Sequence, residues 1–256
     1  MARSWASESF EPADERPVAV QVSVKVILSP RPRLSTTLSS SPDREEQDAL
    51  ADQSSVARVY DRVAAVYDLY SGPMEWMGGR RRRVRVLGRA RGNVLEAGVG
   101  TGLNLDHYPA AVEHVTGIDI SSRMLARARG RAGRSPVPVD LQIADVERLP
   151  FEDDHFDTAT ATCVFCSVAD PVRGLRELRR VVKPAGRVLL LEHVRPRIGL
   201  LGFLADLVSP LTRRLFGPAV NRRTERNVEA AGLHIVDVRR DGVWREIEAR
   251  PMPEAS

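Results

Sequence analysis

The chain has 256 residues, with 38 lysines and arginines against 34 aspartates and glutamates, a formal net charge of +4 and two cysteines. That length suits one α/β domain of about 200 residues plus an extra segment. No apolar run approaches the eighteen or so residues needed to span a bilayer, and two cysteines without matching histidine spacing exclude a structural zinc site.

The first 50 residues hold five prolines and nine serines, with six basic and eight acidic residues, so the positive charge belongs to the remainder. This shift marks a boundary near residue 50 and predicts a poorly ordered leader, 1–50, ahead of a domain over 51–256. Within the leader, Val18–Leu28 alternates apolar and polar residues and allows a short strand. A basic start followed by an apolar run is missing, and Glu8, Glu11, Asp14 and Glu15 argue against a transit peptide, so the protein is expected in the cytoplasm. Further on, Arg80–Arg83 with Arg85 follow Trp76 and two glycines. Such a run predicts a solvated helix face, or one that attracts anionic lipid headgroups. No aromatic residues interleave with it, so nucleic acid is not expected as a partner.

Residues 93–102 read Asn-Val-Leu-Glu-Ala-Gly-Val-Gly-Thr-Gly. An apolar strand ends in Glu96 and the chain turns through Gly98, Gly100 and Gly102, where missing side chains let backbone amides approach a ligand. Nucleotide-like ligands bind at the carboxyl ends of strands in doubly wound sheets. A dinucleotide fingerprint requires glycine where this chain has Leu103. An acid at position 96 suits a ligand without phosphate that carries ammonium and sulfonium charges. A second strand then ends at Asp119, where a carboxylate accepts from ribose hydroxyls. Ser121 suits a helix N-cap, and Met124 lies one turn into that helix, placed to face adenine. A third strand, Val139–Ile143, leads to Ala144-Asp145-Val146, with Asp145 placed to accept from an adenine amino group.

Thr158–Phe165 is predicted as the fourth strand, which sends Cys163 and Cys166 to opposite faces as reduced apolar fillers. Asp170–Val182 reads as a helix with one apolar face, ended by Lys183-Pro184-Ala185-Gly186, and Arg187–Glu192 as the fifth strand. Ile198–Leu211 is apolar with basic residues beyond it. It predicts a lid insertion around 197–220, packed over the site or lying in a membrane interface. Arg222–Ala231 is a predicted helix closed by Gly232, followed by a β pair, Leu233–Val238 and Val243–Ala249, around Asp241-Gly242.

In order and spacing, Glu96–Gly102, Gly117-Ile118-Asp119 and Ala144-Asp145-Val146 resemble the cofactor motifs of class I S-adenosylmethionine-dependent methyltransferases. Tyr60–Asp68 is similar to the segment that precedes the core in ubiquinone/menaquinone C-methyltransferases. Cys166–Pro171, Leu175–Gly186 and Leu191–Val194 look closer to bacterial phospholipid N-methyltransferases and related thiol methyltransferases. The resemblance spans roughly residues 56–250. It implies a Rossmann-like α/β fold: a seven-stranded, mostly parallel sheet with helices on both faces and the last strand antiparallel. It also implies S-adenosyl-L-methionine as cofactor, bound by Tyr60, Glu96, Gly98, Gly100, Thr101, Gly102, Asn104, Asp119, Ile120, Met124, Ala144, Asp145, Val146 and Thr162, with no metal.

Tyr67 and His193 are the expected catalytic side chains, as acceptor-positioning groups or proton relays. The expected acceptor is a lipid-like or small molecule, first a phosphatidylethanolamine-like amine, with peripheral contact at the membrane surface. Quinone carbons and small thiols are the alternatives, and a cofactor-binding protein without catalysis is the alternative of another class.

Overall fold

The computed structural model describes residues 23–25, 56–65, 67–193 and 223–252. The strands are β1 (Ser23–Lys25), β2 (Gly92–Ala97), β3 (Val112–Asp119), β4 (Val139–Ile143), β5 (Phe156–Thr162), β6 (Val182–His193), β7 (Leu233–Asp241) and β8 (Trp244–Pro251). The helices are α1 (residues 56–63), α2 (Tyr67–Met74), α3 (Arg80–Leu87), α4 (Ser122–Ala132), α5 (Pro171–Val181) and α6 (Thr224–Ala230). A π-helical turn, Glu75–Gly79, joins α2 to α3.

The sheet order is β1-β4-β3-β2-β5-β6-β8-β7. From β4 across to β6 the neighbours are parallel, whereas β8 pairs antiparallel with both β6 and β7. The seven predicted strands are therefore present, and Ser23–Lys25 adds an eighth beside β4, within the alternating stretch of the leader. The predicted lid, 197–220, lies outside the described residues.

Burial explains the layers. Central strands covered on both faces read as continuous apolar runs, as in Val188–Leu191 of β6, all buried. On one face, Val86 and Leu87 of α3 and Leu125, Ala128 and Ala132 of α4 pack against Val94, Val115, Leu141 and Leu189. On the other, Leu175, Leu178 and Val181 of α5 and Val228 of α6 pack against Leu95, Ala159, Leu190 and Ile247. Each such leucine or valine contributes about 1.5–3 kcal/mol by leaving water.

Two helix starts follow local chemistry. The Ser121 side chain accepts from the Met124 amide at 3.1 Å, as expected of an N-cap. Asp170 accepts from the amides of Val172 and Arg173 ahead of Pro171, where the missing proline N–H has no helical partner to lose.

Two sequence expectations are corrected. The fourth strand ends at Thr162, because Cys163 takes a left-handed φ of +56° that no strand continues. The two cysteines are thus not placed by strand alternation. The run Arg80–Arg85 is not a solvated face either. Arg83 is buried against Glu75 and Asn104, Arg85 forks onto Glu246, and Arg82 pairs with Asp241 and lies over the Trp244 ring. Only Arg80 and Arg81 of this run's arginines stand exposed.

Candidate active site

Parallel strands present their carboxyl ends together, and the chain reverses its direction of travel across the sheet between β2 and β5. That switch point opens the crevice in which doubly wound sheets bind ligands. The turn after β2 carries Gly98, Gly100 and Gly102, with φ of +65°, +56° and +86°. The three differ in surroundings. A Cβ on Gly98 would come within 2.5 Å of the Val164 side chain, and one on Gly102 within 3.3 Å of the Ala128 backbone. Nothing lies within 4 Å of a Cβ built on Gly100. A side chain at Gly98 or Gly102 would thus clash with its neighbours, and Gly100 leaves open space toward the crevice.

The crevice is about half enclosed, with roughly 750 Å³ of non-atom space in it and at its mouth, part of which is open solvent. Its wall includes Gly98, Gly100, Asp119, Ile120, Met124, Ala144, Asp145, Val146, Thr162, Tyr60 and Tyr67, eleven of the sixteen residues singled out from the sequence. The Asp119 carboxylate accepts from the amides of Gly100 and Ser121, both at 2.9 Å. Among the described residues no arginine or lysine forms an ion pair with it. Burial pushes its carboxyl up to about 6, although the amides of Ser121 and Gly100 favour the ionised form. Asp145 accepts from the Glu147 amide at 2.9 Å, and burial raises its carboxyl too.

Five predicted residues stand behind the wall. Glu96 is 1% exposed and takes hydrogen bonds from Asn104 Nδ2 at 2.8 Å and the Tyr108 hydroxyl at 2.9 Å. Burial raises its carboxyl to about 7 against those two bonds. Asn104 also bonds Thr162 and Arg83, which links the buried acid to the wall. Thr101 donates to Asp68 at 2.6 Å, and Gly102 packs as described. His193 ends β6 with its ring centroid 3.7 Å from that of Trp244 and Nδ1 3.7 Å from Cys163 Sγ. Burial, then the Arg82 guanidinium, lowers its imidazole to about 4, so it stays neutral at neutral pH.

Sequence reasoning missed Val56, Ile118, Glu147, Cys163, Val164, Ser167, Val168 and Ala169 on the wall. Positions 163–165 fall within the predicted fourth strand, which in the structure ends at Thr162. A turn there needed only the polar Ser167 before Asp170-Pro171 as its signal. Tyr60 and Tyr67 face each other with centroids 6.4 Å apart and planes tilted by 58°. Burial raises both phenols above their ordinary range, so they remain protonated.

The wall fits the cofactor implied by the sequence resemblance. Asp119, which no arginine or lysine pairs among the described residues, and Asp145 beyond the next strand suit a cationic nucleoside with paired hydroxyls, and Gly100 leaves bare backbone beside them. Three comparisons agree. Residues 95–190 match a methyltransferase domain family. The chain is 41% identical over 141 residues to a phosphatidylethanolamine N-methyltransferase of Cereibacter sphaeroides, covering 54% of this chain and 68% of that protein. It is 32% identical over 181 residues to a demethylmenaquinone methyltransferase of Renibacterium salmoninarum, covering 68% and 72% respectively. Its fold superposes on an S-adenosylmethionine-dependent methyltransferase from Thermotoga maritima with a TM-score of 0.59 at 22% identity, over 77% of this chain and all of that one. By identity and coverage together with this crevice, the chain belongs to the S-adenosylmethionine-dependent methyltransferases.

Proposed function

We propose that this methyltransferase acts on a hydrophobic or amphipathic acceptor, first a phospholipid amine of the phosphatidylethanolamine kind. The observation that carries the reading is the pair of protonated phenols, Tyr60 and Tyr67, on an otherwise apolar part of the wall with Val56, Val164 and Val168. Aromatic faces attract ammonium groups, by about 2 kcal/mol when water is excluded. A methylated amine keeps its positive charge, whereas a quinone carbon or a thioether product has none to offer. The relative of highest identity given above carries the same acceptor in its name. Quinone carbons remain the second reading, because the Renibacterium salmoninarum relative is named for one.

The bound donor supplies a methyl group on a cationic sulfur that departs as a neutral thioether. In this reading Gly98, Gly100, Asp119, Ile120, Met124, Ala144, Asp145, Val146 and Thr162 hold the donor. Glu96, Thr101, Gly102 and Asn104 keep the glycine turn in shape from behind. Tyr67, kept protonated, positions the acceptor rather than taking its proton. His193 orders the wall through Cys163. Alignment and exclusion of water then supply most of the acceleration, up to ~7–11 kcal/mol for well-oriented reactants. Work at the cytoplasmic membrane surface belongs to the same reading. Leu69 and Trp76 are 81% and 88% exposed, Arg80 and Arg81 are exposed a few residues after Trp76 in the chain, and exposed apolar and basic residues suit a lipid interface. No helix among the described residues is long and apolar enough to cross a membrane.

The test is transfer of an isotope-labelled methyl group to phosphatidylethanolamine vesicles, to a demethylated quinone and to a small thiol, read by mass spectrometry. Label on the phospholipid nitrogen supports the reading. Label confined to the quinone or the thiol replaces it.

A further inference from the structure

The roof of the crevice is formed by residues 56–65 with Tyr67 and Asp68, and in polar terms it is tied down at four places. The Tyr60 hydroxyl meets Ser167 Oγ at 2.5 Å, in the turn after β5. Asp61 Oδ1 accepts from Ser121 Oγ at 2.6 Å and from the Arg123 amide at 3.3 Å, at the start of α4. Asp68 Oδ1 accepts from Thr101 Oγ1 at 2.6 Å, inside the glycine turn. Asp68 Oδ2 accepts from Arg131 Nη2 at 3.0 Å, and the same guanidinium donates to the Thr101 carbonyl at 2.7 Å.

These ties end on the parts of the chain that form the donor's walls. Ser121 is the residue whose amide holds Asp119, and Thr101 follows Gly100. Partial burial pushes the Asp68 carboxyl up, but the hydrogen bonds from Thr101 and Arg131 outweigh it and hold it below the ordinary carboxylate range. Asp68 is thus ionised at neutral pH and bound to Arg131. Asp68 and Arg131 are partly exposed, so water competes for their pair, whereas Ser121 and Thr101 are buried and hold their partners more firmly, beside the buried Val59 and Ala64 of the roof itself.

We infer that Asp61 and Asp68 are positioning residues that latch this roof over the methyl donor, so that donor entry and product release both wait on their opening. The inference concerns the donor side and does not depend on which acceptor is used. Lid opening of this kind is a common limit on turnover.

A latch and a simple contact differ in kinetics. Loss of a contact raises only the dissociation rate of the ligand, whereas loss of a latch raises association and dissociation together. Stopped-flow tryptophan fluorescence with the full chain and S-adenosylmethionine, and separately with S-adenosylhomocysteine, reads both rates. Asp61→Ala and Asp68→Ala are each expected to raise both rates threefold or more, with the thermal transition of the unliganded protein unchanged. If either alanine variant fails to fold, Asp61→Asn, or Asp68→Asn in an Arg131→Ala background, takes its place with the same expectation. Faster dissociation without faster association, or neither rate altered by threefold, overturns the latch.

Discussion

The crevice end of the parallel strands and the antiparallel edge formed by β7 and β8 handle charge in opposite ways. At the edge every carboxylate of note meets an arginine. Glu246 takes Arg85, Glu248 lies near Arg89 and Arg187, Asp241 takes Arg82, and Glu225 of α6 takes both Arg240 and Arg245. At the crevice, Asp119 is held by backbone amides alone, and its charge remains for something that arrives. Charges that staple a fold are matched within it, and charges that serve a ligand are left over. The contrast separates the two uses more cleanly than exposure does.

The largest effect expected from breaking this contrast is at Glu96. Its carboxyl sits near 7 in the folded protein against an ordinary 4.5, so the folded state holds the proton more tightly than the unfolded one. Its contribution is fully present below about 4.5 and is lost as pH rises to about 7, a change of about 3 kcal/mol by linkage. Urea unfolding across that range should show stability falling, and Glu96→Gln should flatten the fall. Next, Asp119→Ala should weaken S-adenosylmethionine binding by about 1–3 kcal/mol, the scale of leaving donors unpaired, as read by calorimetry. Arg85→Ala, at the edge, should lower stability by about 1 kcal/mol or less, since its side chain is partly exposed and solvent screens the pair. It should leave donor affinity as it was. Smallest is removal of residues 1–50. Donor binding should persist, with the loss of β1 seen only as faster amide exchange along β4.

The sequence makes the donor side legible because its signals are local. Three glycines, two strand-end acids and a serine cap each mark a turn within a few residues of themselves, and the turns they predict are the turns found. What stayed hidden depends on distant partners. Glu96 looks like Asp119 along the chain, since both end apolar strands, and only Asn104 and Tyr108 behind it show that it is buried. The arginine run reads as a solvated face because its partners, Asp241 and Glu246, lie about 160 residues away. The Asp61 and Asp68 latches cross about 30 to 60 residues in the same way. Cys163 was lost for a different reason: alternation along Thr158–Phe165 continues past Thr162, and only the left-handed φ at Cys163 stops the strand.

The central claim is that an unmatched carboxylate at the end of β3 receives the methyl donor. Its most direct test is calorimetric titration with S-adenosylmethionine at pH 5 and pH 7, for the parent protein and for Asp119→Asn. With a carboxyl near 6 in the free protein, ionisation favours the donor, and affinity should rise about tenfold between the two conditions. In Asp119→Asn the rise should vanish and affinity should stay low. Equal affinity at both pH values in the parent, or parent-like binding by the variant, would contradict the account.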